Sequence, residues 1–98
     1  MERDETIKRI DSMIRVLTHS GSIANKRDSN SEETLNLKNA IEVEDRPKLA
    51  NLFEDLIVLL KDDPDNKRDI RRIYNKIMDG YGHVKPVSEI LGSVKSFF

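Results

Sequence analysis

The apolar residues of this chain recur in steps of three and four, and no stretch reads as a strand. Such spacing puts them on one face of an α-helix, so the chain must bury a set of helical stripes against one another. Ile7, Ile10, Ile14 and Leu17, with Met13 beside them, predict a helix over residues 3–19, ended by Ser20 and Gly21. Residues 22–30 are polar apart from Ile23 and Ala24 and read as a loop. Ser29-Asn30-Ser31 before Glu32 and Glu33 is a helix start, because short polar side chains cap free amides and acids favour the first turn. Leu35, Leu37, Ala40, Ile41 and Val43 follow it, with less regular spacing, in an expected helix over 31–44.

Asp45-Arg46-Pro47 marks the clearest boundary, since proline suits a first helical turn and disfavours helix in the residue before it. Asp45 is the expected cap. The helix over 46–62 carries Leu49, Leu52, Phe53, Leu56, Ile57, Leu59 and Leu60, the widest apolar face in the chain. A helix that apolar belongs in the centre, touching more than one neighbour. After the polar turn Asp62-Asp63-Pro64-Asp65-Asn66, a helix over 66–79 carries Ile70, Ile73, Tyr74, Ile77 and Met78, with Gly80 placed to end it. Residues 80–98 form a tail: Tyr81-Gly82-His83-Val84-Lys85-Pro86 interrupts any continuous helix. Val87, Ile90, Leu91, Val94 and Phe97 or Phe98 then return to helical spacing. Gly92 and three serines weaken that last segment, so its order must come from docking. The expected fold is all-α: an antiparallel up-down four-helix bundle with a short C-terminal helix or docked tail.

At 98 residues the chain is one domain. Apolar residues make up 37% and charged residues 36%, so the surface is densely charged and the core comes from the stripes alone. The net charge of −1 argues against a general polyanion binder, whose affinity needs many phosphate contacts. With no cysteine there is no disulfide, thiolate metal site or thiol catalysis, and the chain suits a reducing cytosol. The charged N-terminus does not resemble a secretory signal, and the longest apolar run, Leu56 to Leu60, is too short to span a membrane. A cytoplasmic protein is expected.

His19 and His83 sit on different segments and neither has a partner at metal-ligand spacing. Asp62, Asp63 and Asp65 lack the glycine and closing glutamate of a calcium loop and read as turn and cap residues. The chain has no glycine-rich phosphate loop, no nucleophile elbow and no serine–histidine–acid set. Neither an enzyme nor a cofactor is expected. Two features remain as candidate surfaces. Arg68, Arg71, Arg72 and Lys76 form a basic patch, which either meets phosphate or an anionic headgroup or is a solvated face paired with Asp65 and Asp69. The tail spends Val84, Val87, Ile90, Leu91, Val94, Phe97 and Phe98 after the bundle is complete. It either folds back to seal one side or presents a face to a partner.

This layout resembles the immunity proteins of pediocin-like (class IIa) bacteriocins over the whole chain. It shares the length, the absence of cysteine, the charged first helix and the polar first loop. The proline-started apolar helix (Asp45-Arg46-Pro47, then Leu49-Ala-Asn-Leu-Phe-Glu-Asp-Leu-Ile57), the next helix and the tail after Gly80 complete the match. The resemblance implies a cytosolic antiparallel four-helix bundle that protects a bacteriocin producer from its own pore-forming peptide. It implies as partner the mannose-family sugar permease with bound bacteriocin, engaged from the cytoplasmic side, and specificity in the C-terminal half. No residue set carries over position by position. On this chain the candidates are Tyr81, His83, Val84, Lys85, Ile90, Leu91, Val94, Phe97 and Phe98 in the tail, with the basic patch adding a weak membrane-surface contact. A regulatory or adaptor domain binding another protein is the rival expectation. Nucleic-acid binding through the helix over 66–79 is a weaker one, because the chain has few aromatic platforms and no nucleic acid is expected as partner.

Overall fold

The computed structural model describes residues 3–18, 37 and 39–97. Four α-helices have bounds among them: α1, Arg3–Thr18; α2, Arg46–Asp62; α3, Lys67–Tyr81; and α4, Lys85–Lys95. No strand occurs among the described residues.

The stripes read from the sequence are the faces that pack. On α1, Ile7, Ile10, Met13, Ile14 and Leu17 are buried, while Asp4 and Glu5 in the first turn and Arg15 in the last complement the helix dipole. Thr18 closes its last turn by donating from Oγ1 to the Ile14 carbonyl at 2.9 Å. On α2, Leu49, Ala50, Phe53, Leu56 and Leu60 are buried, with Leu52, Ile57 and Leu59 half-buried around them. That wide face lets α2 pack against both α1 and α3. Helix α3 buries Ile70, Ile73 and Ile77. Its cap is Asn66, whose side-chain oxygen accepts from the Asp69 amide at 3.3 Å while Nδ2 donates to the carboxylates of Asp63 and Asp69.

The tail takes the first of its two expected arrangements, a short C-terminal helix folded back to seal one side of the bundle. It forms the regular helix α4, in which Val87, Ile90, Leu91 and Val94 are all 0% exposed. Helix α4 packs on α3 and on α1, and so closes a ring in which α1 meets α2, α2 meets α3, α3 meets α4 and α4 meets α1. The C-terminal helix is therefore one wall of the core that the four described helices enclose. Gly92 and the serines weaken the helix locally, but each fully buried apolar side chain supplies roughly 1.5–3 kcal/mol, and burial outweighs propensity.

The expected helix over 31–44 falls largely outside the described residues. Leu37, Asn39 and Ala40 are helical, and Leu37 and Ile41 are buried in the same core as the ring. The helix does not reach residue 44. Glu42 is extended (φ −57°, ψ 145°), and Val43–Asp45 is a 3₁₀ turn. The Glu42 carbonyl accepts from the amides of Asp45 and Arg46 at 2.9 and 3.1 Å, and Arg46 Nε donates to the Ile41 carbonyl at 3.1 Å. The Asp45 amide thus turns to Glu42 and not to Ile41, as it would in a continued helix, and the Ile41 carbonyl is taken by the Arg46 side chain. Val43 consequently leaves the core stripe and is 72% exposed.

Two boundary residues also act otherwise than expected. Asp45 precedes α2 without capping it through its side chain. Gly80 lies inside α3, which continues to Tyr81. The corner falls at Gly82, where φ is −65° and the amide donates to the Met78 carbonyl at 2.9 Å. A Cβ there would stand 2.5 Å from that carbonyl oxygen and against the Met78 sulfur, so close approach, and no left-handed conformation, selects glycine at this position. Gly82–Val84 then leads directly into α4, with Pro86 in its first turn.

Candidate partner-binding site

The residues singled out in the tail separate into two groups. Val84 is buried at the entry to α4, and Ile90, Leu91 and Val94 are core residues of the bundle. The expectation that these four meet a partner gives way to a packing role: exposing them would open the ring. Phe97 is half-buried against the same core, and Phe98 lies outside the described residues. His83 and Lys85 are exposed, and Tyr81 is half-buried beside them in sequence, at the corner where α3 turns into α4.

That corner is tied to the opposite end of α2. Burial, followed by the negative charge of the Asp45 carboxylate and hydrogen bonding to it, pushes the Tyr81 phenol above its ordinary pKa of 10.0. The influence of Asp45 on Tyr81 couples the last residue of α3 to the 3₁₀ turn carrying exposed Val43 and Glu44. Sequence reasoning assigned Asp45 to helix capping. The short-range pattern Asp-Arg-Pro carries a cap signal, whereas a partner 36 positions away in the sequence leaves no local trace.

The basic patch is intact as a surface. Arg68, Arg71, Arg72 and Lys76 are all exposed on α3, opposite the buried Ile70, Ile73 and Ile77. Arg72 pairs with Asp69 at 3.6 Å, an exposed i,i+3 contact of little energetic weight. Along the helix the patch begins about 20 Å from Tyr81 at Arg68 and ends about 8 Å from it at Lys76, so it runs toward the corner.

Among the described residues no cluster of three or more His, Cys, Asp or Glu stands in a position to hold a metal ion. No helix among them is long and apolar enough to cross a membrane. No buried side-chain polar atom among them lacks a hydrogen-bond partner. His19, the other histidine of the sequence, lies outside the described residues. Compared with known protein families, with curated proteins and with solved structures, the chain matches none.

Proposed function

We propose that this protein is a bacteriocin immunity protein of the pediocin-like (class IIa) type. On this reading it works in the cytoplasm without catalysing a reaction. It protects the producing cell by protein–protein contact at the cytoplasmic face of the mannose-family permease that carries bound bacteriocin. One observation carries the reading: the apolar side chains of the C-terminal helix are consumed by the core. What this half of the chain offers a partner is therefore the polar corner at His83 and Lys85 and the basic face of α3. A bundle with surface to offer and, among the described residues, no metal-holding cluster suits recognition.

The experiment is expression in a bacteriocin-sensitive cell. Resistance to one or a few class IIa peptides is expected, together with its loss in the double variant His83→Ala, Lys85→Glu at unchanged thermal stability. A well-expressed protein that protects against no class IIa peptide overturns the proposal. Affinity capture that recovers a soluble regulator and no permease would move the assignment to an adaptor domain.

A further inference from the structure

The charge of this molecule is segregated. Five basic and two acidic residues give α3 a charge of +3, so the remaining residues carry −4 against the chain's total of −1. All five basic residues of α3 (Lys67, Arg68, Arg71, Arg72 and Lys76) are exposed. From Arg68 to Lys76 the strip runs about 12 Å, comparable to a Debye length of about 8–10 Å at moderate salt, so a charged plane would feel these groups together. The α3 side chains opposite the core are polar: Asn75 and Asp79 are the other exposed members beside the basic ones, and both tyrosines of the helix are half-buried.

We propose that the outer face of α3 docks on anionic phospholipid, with the guanidinium and ammonium groups on headgroup phosphates. It deepens the functional reading above by giving the protein a reason to concentrate at the membrane that holds its receptor. The charge distribution favours lipid over nucleic acid. Stacking on bases needs aromatic side chains on the contact face, and both tyrosines of α3 are half-buried, while the −4 carried by the rest of the chain would repel a polyanion that wrapped around it. A lipid surface can be met by the outer face of α3 alone. The contact is shallow and electrostatic, because no apolar side chain lies exposed on α3 to insert.

The test is co-sedimentation of the purified full chain with vesicles. Binding is expected to vesicles of mixed phosphatidylglycerol and phosphatidylcholine, none to phosphatidylcholine alone, and a steep decline with added salt. Each basic side chain removed is expected to lower the partition coefficient roughly fivefold, so Arg68→Gln, Lys76→Gln together should lower it about 25-fold. The pair Arg3→Gln, Lys8→Gln on exposed α1 positions makes the same change in net charge and should lower it far less. Glycerol phosphate at matched phosphate concentration should not compete. Equal binding to neutral vesicles, equal losses from the two double variants, full competition by glycerol phosphate, or binding to DNA in place of vesicles would each overturn the proposal. The measurement uses neither permease nor peptide, so its failure and the failure of the protection assay are separately readable.

Discussion

Helices α1 and α4 close the bundle against each other, yet they are built on opposite terms. Helix α1 has 16 residues, a regular stripe, acids at its start and a base at its end, and its core residues Ile7, Met13 and Ile14 keep 8% of their surface. Helix α4 has 11 residues, begins after an extended Val84 with no side-chain cap, and carries Gly92 on its exposed side, but its four core residues are 0% exposed. The helix with weaker local preferences is the more deeply buried. Local signals tell where a helix starts and stops, while its place in the ring is decided by how much apolar surface it can remove from water.

The largest effect is expected from removing α4. A chain ended at Tyr81 exposes the α1 and α3 faces that α4 covers, and should lose its cooperative thermal transition, measured by circular dichroism. Retention of a sharp transition would show that three helices and the segment containing Leu37 suffice. For the same reason a tail deletion cannot locate the partner contact, since lost protection would report lost folding. Within the ring the same substitution ranks the two helices: Ile90→Ala, at a site with no exposure, should cost about 3–5 kcal/mol, and Ile7→Ala, at 8% exposure, about 2–3 kcal/mol. Chemical denaturation of the two variants decides the order, and equal losses would erase the distinction drawn between the helices.

This contrast also explains what was legible in the sequence. The stripes of α1 and α2 repeat over about three turns and that of α3 over about two and a half, each between punctuating residues such as Pro47 before α2 and the Asp65-Asn66 turn before α3. The hydrophobic positions of α4 were just as visible, at Val87, Ile90, Leu91 and Val94, but their destination was not. A short amphipathic segment after a complete-looking set of helices has the same pattern whether it seals a core or awaits a partner. The choice depends on whether the other helices leave a side open, which is a property of the assembled ring. In the same way Val43 sits at an apolar position of an irregular stripe, and only the extended Glu42 shows that the helix ends before it. The Tyr81–Asp45 coupling was beyond reach for a similar reason, as both residues had adequate local explanations in a corner and a cap.

The glycines offer a finer comparison between the corner and the helices it joins. Gly82→Ala should destabilise the fold by about 1–3 kcal/mol, because its Cβ would meet the Met78 carbonyl oxygen at 2.5 Å. Gly80→Ala in α3 and Gly92→Ala in α4 have nothing within 4 Å of the new atom. Each should stabilise by about 0.5–1 kcal/mol by lowering the entropy of the unfolded chain. Opposite signs at positions 80 and 82, measured as shifts in the denaturation midpoint, would place the corner at Gly82. Two stabilising substitutions would mean that Met78 yields easily and the corner is soft.

The smallest effect is in the alkaline limb of stability. Because the folded state raises the Tyr81 pKa above its ordinary value of 10.0, the folded protein holds the phenolic proton more tightly than the unfolded chain does. This contribution is fully present below the unfolded pKa and is lost as pH rises through the folded one, since a phenolate beside the Asp45 carboxylate is both partly desolvated and repelled. Stability should therefore fall more steeply above about pH 10 than in Tyr81→Phe, which keeps the ring and removes the ionisation. Asp45→Asn removes the negative charge and should shift the phenolate absorbance titration of Tyr81 downward, while Tyr74→Phe supplies the background needed to assign that signal. If the titration of Tyr81 is unmoved by Asp45→Asn, the 3₁₀ turn and the corner before α4 are merely adjacent, and the link between the two ends of α2 and α3 contributes nothing to holding α4 in place.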